Sequence, residues 1–351
     1  MPGPRDGPGR RMTVGGAGMG RGIRVRALSR GLPLEGDFEV VEGEIPRVGE
    51  GEVLVRNRWF AVFPSVRTLL GGGVPGAPFP ALAAGDALFG PAVGEVVAAP
   101  EGSGLRPGGL VTHFLGWREW AVVPVDQVVP VDAELPDPAA QLSQGALAYT
   151  ALTRDAGLRE GETVLVTGGA GAVGTMAGQI ARRLGAGRVV GSTGSAAKAR
   201  RMTEELGYDA VVRRDLGDFE GQLAKAAPEG LDVVIDTVGG AQLRAAAAAA
   251  RPHARIVLVG TLGGQLDPAR KGTDAPVELD TFQLVVRAVT LRGFGGLTPA
   301  ERRAAHTRLG TWLAAGEILF PHTRVAGLPA APRALTELLS GDHLGAVIVE
   351  L

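Results

Sequence analysis

The residues with the plainest chemical purpose are three glycines in the run Gly169-Ala170-Gly171-Ala172-Val173-Gly174, spaced as G-x-G-x-x-G. An apolar run, ETVLVTG, ends immediately before them, and a helical run, TMAGQIARRLGA, begins immediately after. At such a turn a side chain would keep the backbone away from a pyrophosphate. The helix start, in turn, offers free N–H groups and the positive end of its dipole. Gly174 lets the helix lie close to the strand. Inside a βαβ unit the pattern predicts a dinucleotide site.

A site for NAD normally has Asp or Glu at the end of the second strand, bonded to the ribose 2′-hydroxyl. Here that strand end reads Gly191-Ser192-Thr193-Gly194-Ser195, without an acid. Lys198, one of three lysines, follows on the next helical run, and Arg213 and Arg214 close the third strand. Hydroxyls and cations suit a 2′-phosphate, so the expected cofactor is NADP(H).

The rest of the composition narrows the chemistry. The 351 residues correspond to about two domains. A formal net charge of -1 supplies no field for nucleic acid or anionic membranes, so the expected partner is a small molecule. With no cysteine, disulfides, thiolate metal sites and thiol nucleophiles are ruled out. The histidines His113, His253, His306, His322 and His343 lack ligand spacing, and no metal is expected. The stretch 163–181 is uncharged but rich in glycine, with Thr167, Thr175 and Gln179, and reads as a nucleotide loop rather than a membrane span. Residues 1–22 are rich in Gly, Pro and Arg without an apolar run, which predicts a disordered tail and a cytoplasmic protein.

The elements that must position these residues fall into two patterns. Residues 23–140 carry short β-type runs cut by Gly and Pro, the mark of a partly closed antiparallel domain. Residues 141–295 alternate apolar strands with helical runs, predicting a doubly wound parallel sheet. Residues 296–351 are expected to return to the first domain. The fold class is therefore α/β, with a β-rich domain beside a dinucleotide-binding one.

Together, TGGAGAVG, STGSAAK, LGYDAVV, DVVIDTVGG and IVLVG resemble the zinc-independent medium-chain dehydrogenase/reductase superfamily. GEVLVRN, VGEVV, FLGWREWAVV and LGAVIVEL look most like its group of leukotriene B4 12-hydroxydehydrogenase/prostaglandin reductase, alkenal double-bond reductases and curcumin reductase. The resemblance implies a GroES-like substrate domain, a Rossmann domain, NADPH, a homodimer, and reduction of a carbon–carbon double bond conjugated to a carbonyl. It also assigns positions. Gly171, Ala172 and Val173 would line the pyrophosphate, and Gly194, Ser195, Lys198 and Arg214 the 2′-phosphate. Gly260, Thr261 and Leu262 would face the nicotinamide, with Phe294 and Gly295 closing the pocket. His343 stands where the group has an asparagine near the cofactor.

Departures from the group bear on catalysis. Its tyrosine, thought to stabilise or protonate the enolate, falls in a segment that here reads Gly260-Thr261-Leu262-Gly263-Gly264-Gln265. Its V-D-P-Y-M-R run is Val62-Phe63-Pro64-Ser65-Val66-Arg67. The nicotinamide ribose hydroxyl, a backbone N–H or water could serve the carbonyl oxygen and α-carbon instead. Among side chains, His113 and Ser65 are the candidate proton donors because they offer a titratable group and a hydroxyl on the substrate domain. Three alternatives stay open: a quinone oxidoreductase, a tailoring reductase for a secondary metabolite, and a cofactor-binding member without turnover.

Overall fold

The computed structural model describes residues 18–351 other than 30, 78 and 132. In chain order its strands are β1 (Met19–Val25), β2 (Phe38–Glu44), β3 (Glu52–Val62), β4 (Ala92–Ala98), β5 (Leu110–His113), β6 (Trp120–Pro124) and β7 (Val129–Pro130). They continue with β8 (Thr163–Val166), β9 (Arg188–Thr193), β10 (Ala210–Arg213), β11 (Leu231–Asp236), β12 (Ala250–Leu258), β13 (Thr290–Gly293), β14 (His322–Ala326) and β15 (Ala346–Glu350).

Strands β8 to β13 form one parallel sheet in the order β10-β9-β8-β11-β12-β13. This is the doubly wound dinucleotide-binding order, with its switch point between β8 and β11. A strand with helices on both faces must be apolar on both, and Val164, Leu165 and Val166 are all fully buried. Alternation then sorts them. Val164 and Val166 join Met176 and Ile180 of the helix Ala172–Arg183 in one core. Leu165 joins Leu223 and Leu243 in the core on the opposite face.

The second large sheet runs β14-β15-β3-β4-β5-β7, with β6 also paired to β3. It is antiparallel except between β14 and β15. Val53, Val55, Val96, Val111, Ala121 and Val123 fill its interior. A second cluster joins Ile23, Phe60, Val66 and Trp117 to Leu328, Leu335 and Val347 from the end of the chain. The chain thus comes back to its first domain through β14, the helix Ala331–Ser340 and β15.

Two boundaries differ from those expected. Met19–Gly22 belong to β1, which pairs with β2 along its whole length, while residues 1–17 of the expected tail lie outside the described residues. The helix Pro299–Ala314 does not return to the first domain. Its Ala305, Leu309 and Trp312 pack in the core of the parallel sheet, beside the helix Gly145–Thr150. Among the described residues no helix is long and apolar enough to cross a membrane.

Candidate cofactor site and inter-domain cleft

The glycine loop leaves β8 at the switch point and is held from three sides. Gly168 N–H donates to Ser192 Oγ at 2.9 Å and Gly169 N–H to Ser192 O at 2.8 Å, tying the loop to β9. Ser192 Oγ donates in turn to Gln242 Oε1 at 2.6 Å. From below, the Tyr208 hydroxyl donates to Gly174 O at 2.6 Å. A Cβ at Gly174 would collide with Gly168 O, so only glycine lets the helix start this close to the strand. Gly171 is the N-cap of the helix Ala172–Arg183 and makes no side-chain cap, so no side chain covers the start of this helix beside the loop. A bare glycine turn before a helix start is what a pyrophosphate site requires.

Sequence reasoning missed Tyr208. Its ring occupies a slot floored by Gly169, Gly178 and Gly191, where a Cβ at any of the three would strike the ring or Met202 beside it. Burial pushes its hydroxyl pKa up, so the group stays a donor. The readable signal was the glycines outside the fingerprint, at 178 and 191.

At the neighbouring strand ends the expected 2′-phosphate residues come together. A Cβ at Gly194 would sit 2.6 Å from Arg214 Nε, which shows how closely the guanidinium covers that turn. Ser195 caps the helix Ala196–Glu205, its Oγ accepting from Lys198 N at 3.4 Å. The Lys198 ammonium donates to His343 O at 2.5 Å and to Gly341 O. Burial holds its pKa below the usual lysine range. His343 Nε2 lies 3.2 Å from Glu337 Oε2. Gly345 N–H donates to Ala170 O at 2.9 Å, so the segment 341–345 bridges the glycine loop and Lys198.

Further along the same sheet edge, Gly260 N–H donates to Asp236 O at 3.2 Å and Leu262 N–H to Thr237 O at 3.0 Å, placing Gly260, Thr261 and Leu262 over the end of β11. The Asp236 carboxylate is buried, and burial raises its pKa. It accepts from Thr167 Oγ1 at 2.6 Å and Gly239 N at 2.9 Å, which ties the ends of β8 and β11 across the switch point. Phe294 N–H donates to Leu258 O at 2.8 Å, and the Arg154 guanidinium lies 5.3 Å above the Phe294 ring. Arg154 also donates to Gly296 O at 3.1 Å, fixing the turn that includes Gly295.

On the first domain, Ser65 begins the short helix Val66–Leu70 and is exposed, its Oγ accepting from Gln265 Nε2 of the parallel-sheet domain at 3.2 Å. Ser65 therefore lies where the two domains meet. Phe63, Phe79, Phe89 and Phe114 form an aromatic cluster beside it, with Phe79 and Phe114 stacked at 4.5 Å.

His113 does not serve as the expected proton donor. Leu115 N–H donates to its Nδ1 at 3.0 Å, so the proton sits on Nε2, which donates to Asn57 Oδ1 at 2.8 Å. Asn57 Nδ2 then donates to Leu115 O and Arg118 O. Both ring nitrogens are engaged in a buried structural network. Burial, with Arg118 nearby, lowers the His113 pKa to about 4. The folded protein therefore keeps His113 neutral where the unfolded chain protonates it. Stability from this group is full above the unfolded pKa of about 6.5 and falls as pH drops toward 4, by up to about 3 kcal/mol. Urea unfolding at pH 7 and pH 4.5 should show a smaller loss for His113→Gln than for the native chain; equal losses would refute this account.

The chain matches a family model for zinc-binding dehydrogenases over residues 172–310 and one for the N-terminal domain of oxidoreductases over residues 21–131. It is 31% identical over 338 residues to YfmJ of Bacillus subtilis, described as an NADP-dependent oxidoreductase, covering 94% of this chain and 97% of the relative. It is 28% identical over 334 residues to the NADPH-dependent curcumin reductase of Escherichia coli, covering 92% and 94%. The crystal structure of CurA from Vibrio vulnificus in complex with NADPH superposes with a TM-score of 0.83 at 26% identity, over 94% of this chain and 98% of CurA. Among the described residues no group of three His, Asp or Glu side chains could hold a metal. With its β-rich domain beside a doubly wound parallel sheet, the chain belongs to the zinc-independent medium-chain dehydrogenases/reductases and is an NADP(H)-dependent oxidoreductase of the group near the curcumin and prostaglandin reductases.

Proposed function

We propose that the protein reduces carbon–carbon double bonds conjugated to a carbonyl. The observation that carries this reading is the make-up of the cleft beyond the nicotinamide end. Gln265, Ser65 and Thr68 offer neutral hydrogen-bonding groups, and Phe63, two residues before Ser65, joins the ring cluster of Phe114 and Phe89. The amide and the Ser65 hydroxyl suit a reaction in which charge builds on a carbonyl oxygen and needs a donor rather than a strong base, the Thr68 hydroxyl being spent on Gly272 O. NADPH, when bound, supplies a hydride to the β-carbon. The displaced π pair comes to rest on the carbonyl oxygen as an enolate, and a proton from water at the α-carbon completes the saturated carbonyl compound. The protein's part is to orient the conjugated system and keep the cleft dry.

The likeness to a curcumin reductase supports the same substrate class. NADPH oxidation should be followed against a panel of enones, enals and quinones with product analysis. Saturated carbonyl products are expected, whereas turnover of quinones alone would replace this reading with a quinone oxidoreductase. Silence across the panel despite NADPH binding would leave a cofactor-binding protein. At the phosphate corner, Lys198→Ala should raise the NADPH Kd by about 10- to 100-fold and leave the NADH Kd nearly unchanged in calorimetry.

We also propose a homodimer built on the free edge of the parallel sheet. Among the described residues β13 pairs only with β12, and the adjoining helix Thr281–Val286 leaves Phe282 72% and Val285 78% exposed. An open strand edge beside an apolar helix calls for a partner, and a two-fold copy would continue the sheet. Light scattering should give twice the chain mass of 36.0 kDa, and Val285→Glu should shift it to the monomer.

A further inference from the structure

Between β12 and the helix Thr281–Val286 the chain leaves the parallel-sheet domain as a strap and fastens onto the first domain. Its helical turn Leu262–Gln265 ends with Gln265 reaching across the cleft, where Nε2 donates to Ser65 Oγ at 3.2 Å and Thr68 Oγ1 at 3.1 Å. Leu266 packs against the first domain's core. Arg67, only 5% exposed, then grips the strap's backbone, with Nη2 on Arg270 O and Nη1 on Lys271 O, each at 2.6 Å. Thr68 Oγ1 donates to Gly272 O at 2.8 Å. The strap lies so close that a Cβ at Gly71 would collide with Lys271 O.

Arg67 is an unusual choice for a fastener. Its hydrogen bonds go to carbonyls and not to a carboxylate, and its buried Nε has no hydrogen-bond partner. Burial lowers its pKa, the mark of a cation held at a desolvation cost. Neutral side chains could join two domains without that cost. What a planar fork does better is hold two successive carbonyls in one orientation, which anchors Gly272 where a Cβ on it would stand 3.5 Å from Gln265 Cα. The side chain so fixed is Gln265, whose donor already meets oxygen acceptors at the cleft.

We propose that Gln265 Nε2 is the hydrogen-bond donor to the substrate's carbonyl oxygen, and that Arg67 is the positioning residue that aims it by clasping the strap. The inference rests on the double-bond reductase reading. On substrate binding the carbonyl oxygen takes the place of the Ser65 and Thr68 hydroxyls as the acceptor. As the hydride adds at the β-carbon, the enolate oxygen gains charge against the carboxamide N–H, with the uncompensated Arg67 cation nearby. A carboxamide does not release a proton near neutral pH, so the α-carbon proton comes from water and no side chain gates the step by titrating.

The test uses the full-length protein with NADPH and a conjugated enone between pH 5.5 and 9, alongside NADPH titration by fluorescence. The native kcat should be flat across this range. Gln265→Leu should lower kcat at least tenfold while the NADPH Kd stays within twofold. Gln265→Glu, an acceptor once ionised, should recover activity only as pH falls toward protonation of the new carboxyl. Arg67→Lys keeps the charge but cannot span both carbonyls, and should lose kcat by a similar factor. Combined with Gln265→Leu, it should cost no more than the worse single change. Native-like kcat in Gln265→Leu, a flat profile in Gln265→Glu, or multiplying losses in the double variant would each overturn the inference. If Arg67→Lys fails to fold, the two Gln265 variants decide it. Enone turnover with silent variants removes this inference alone; NADPH binding without turnover by the native protein removes the reading beneath it as well.

Discussion

A backbone can approach a phosphate only where nothing projects from it, and that single steric condition organises the parallel-sheet domain. The loop after β8 has to be bare on its outer side, and it is equally bare on its inner side, where the Tyr208 ring fills the space that side chains at 169, 178 and 191 would occupy. The ring replaces three missing side chains with one rigid body, and its hydroxyl takes up Gly174 O at the start of the helix. A loop of glycines would otherwise lose much conformational entropy on ordering. Tyr208, Ser192 and Gln242 offset that loss by holding it from below and from the side.

Charge is distributed by the same economy. Positive groups gather at the ends of β9 and β10, at Lys198 and Arg214, whereas neutral hydrogen-bonding groups gather where the two domains meet, at Gln265, Ser65 and Thr68. The two regions share one sheet edge but are held by different parts of the chain. The segment 341–345 holds the phosphate end and the strap 266–272 holds the cleft end, each linking the two domains by backbone carbonyls. The buried acid Asp236 is spent on the loops at the switch point.

Much of this was legible in the sequence because it is local. The glycine fingerprint, the apolar run before it and the helix after it lie within about two dozen residues, and βα alternation announces a parallel sheet. The missing acid at Gly194 and Ser195 pointed to NADP(H), the cofactor of the chain's family. What could not be read is what distant segments do to each other. His113 looked like a free titratable group until Asn57, 56 residues away, took its proton-bearing nitrogen. Ser65 and Gln265 are 200 residues apart, and neither composition nor spacing reveals that they meet. The helix Pro299–Ala314 went to the other domain because its Leu309 and Trp312 found the core beside Met176, a preference no helical period encodes.

The pairing of β15 with β3 carries a consequence for how the chain is made. Val347 lies opposite Val62 and Glu350 opposite Trp59, with the entire parallel sheet encoded between them. A chain emerging from its N-terminus can pair the first half of β3 with β6, but it leaves the edge of residues 59–62 uncovered throughout synthesis of the inserted domain. That domain is continuous in sequence through β13 and can close its own sheet while the first domain waits. The nucleotide-binding half is thus the natural early folder, and it carries the two ends of the other half to their meeting point.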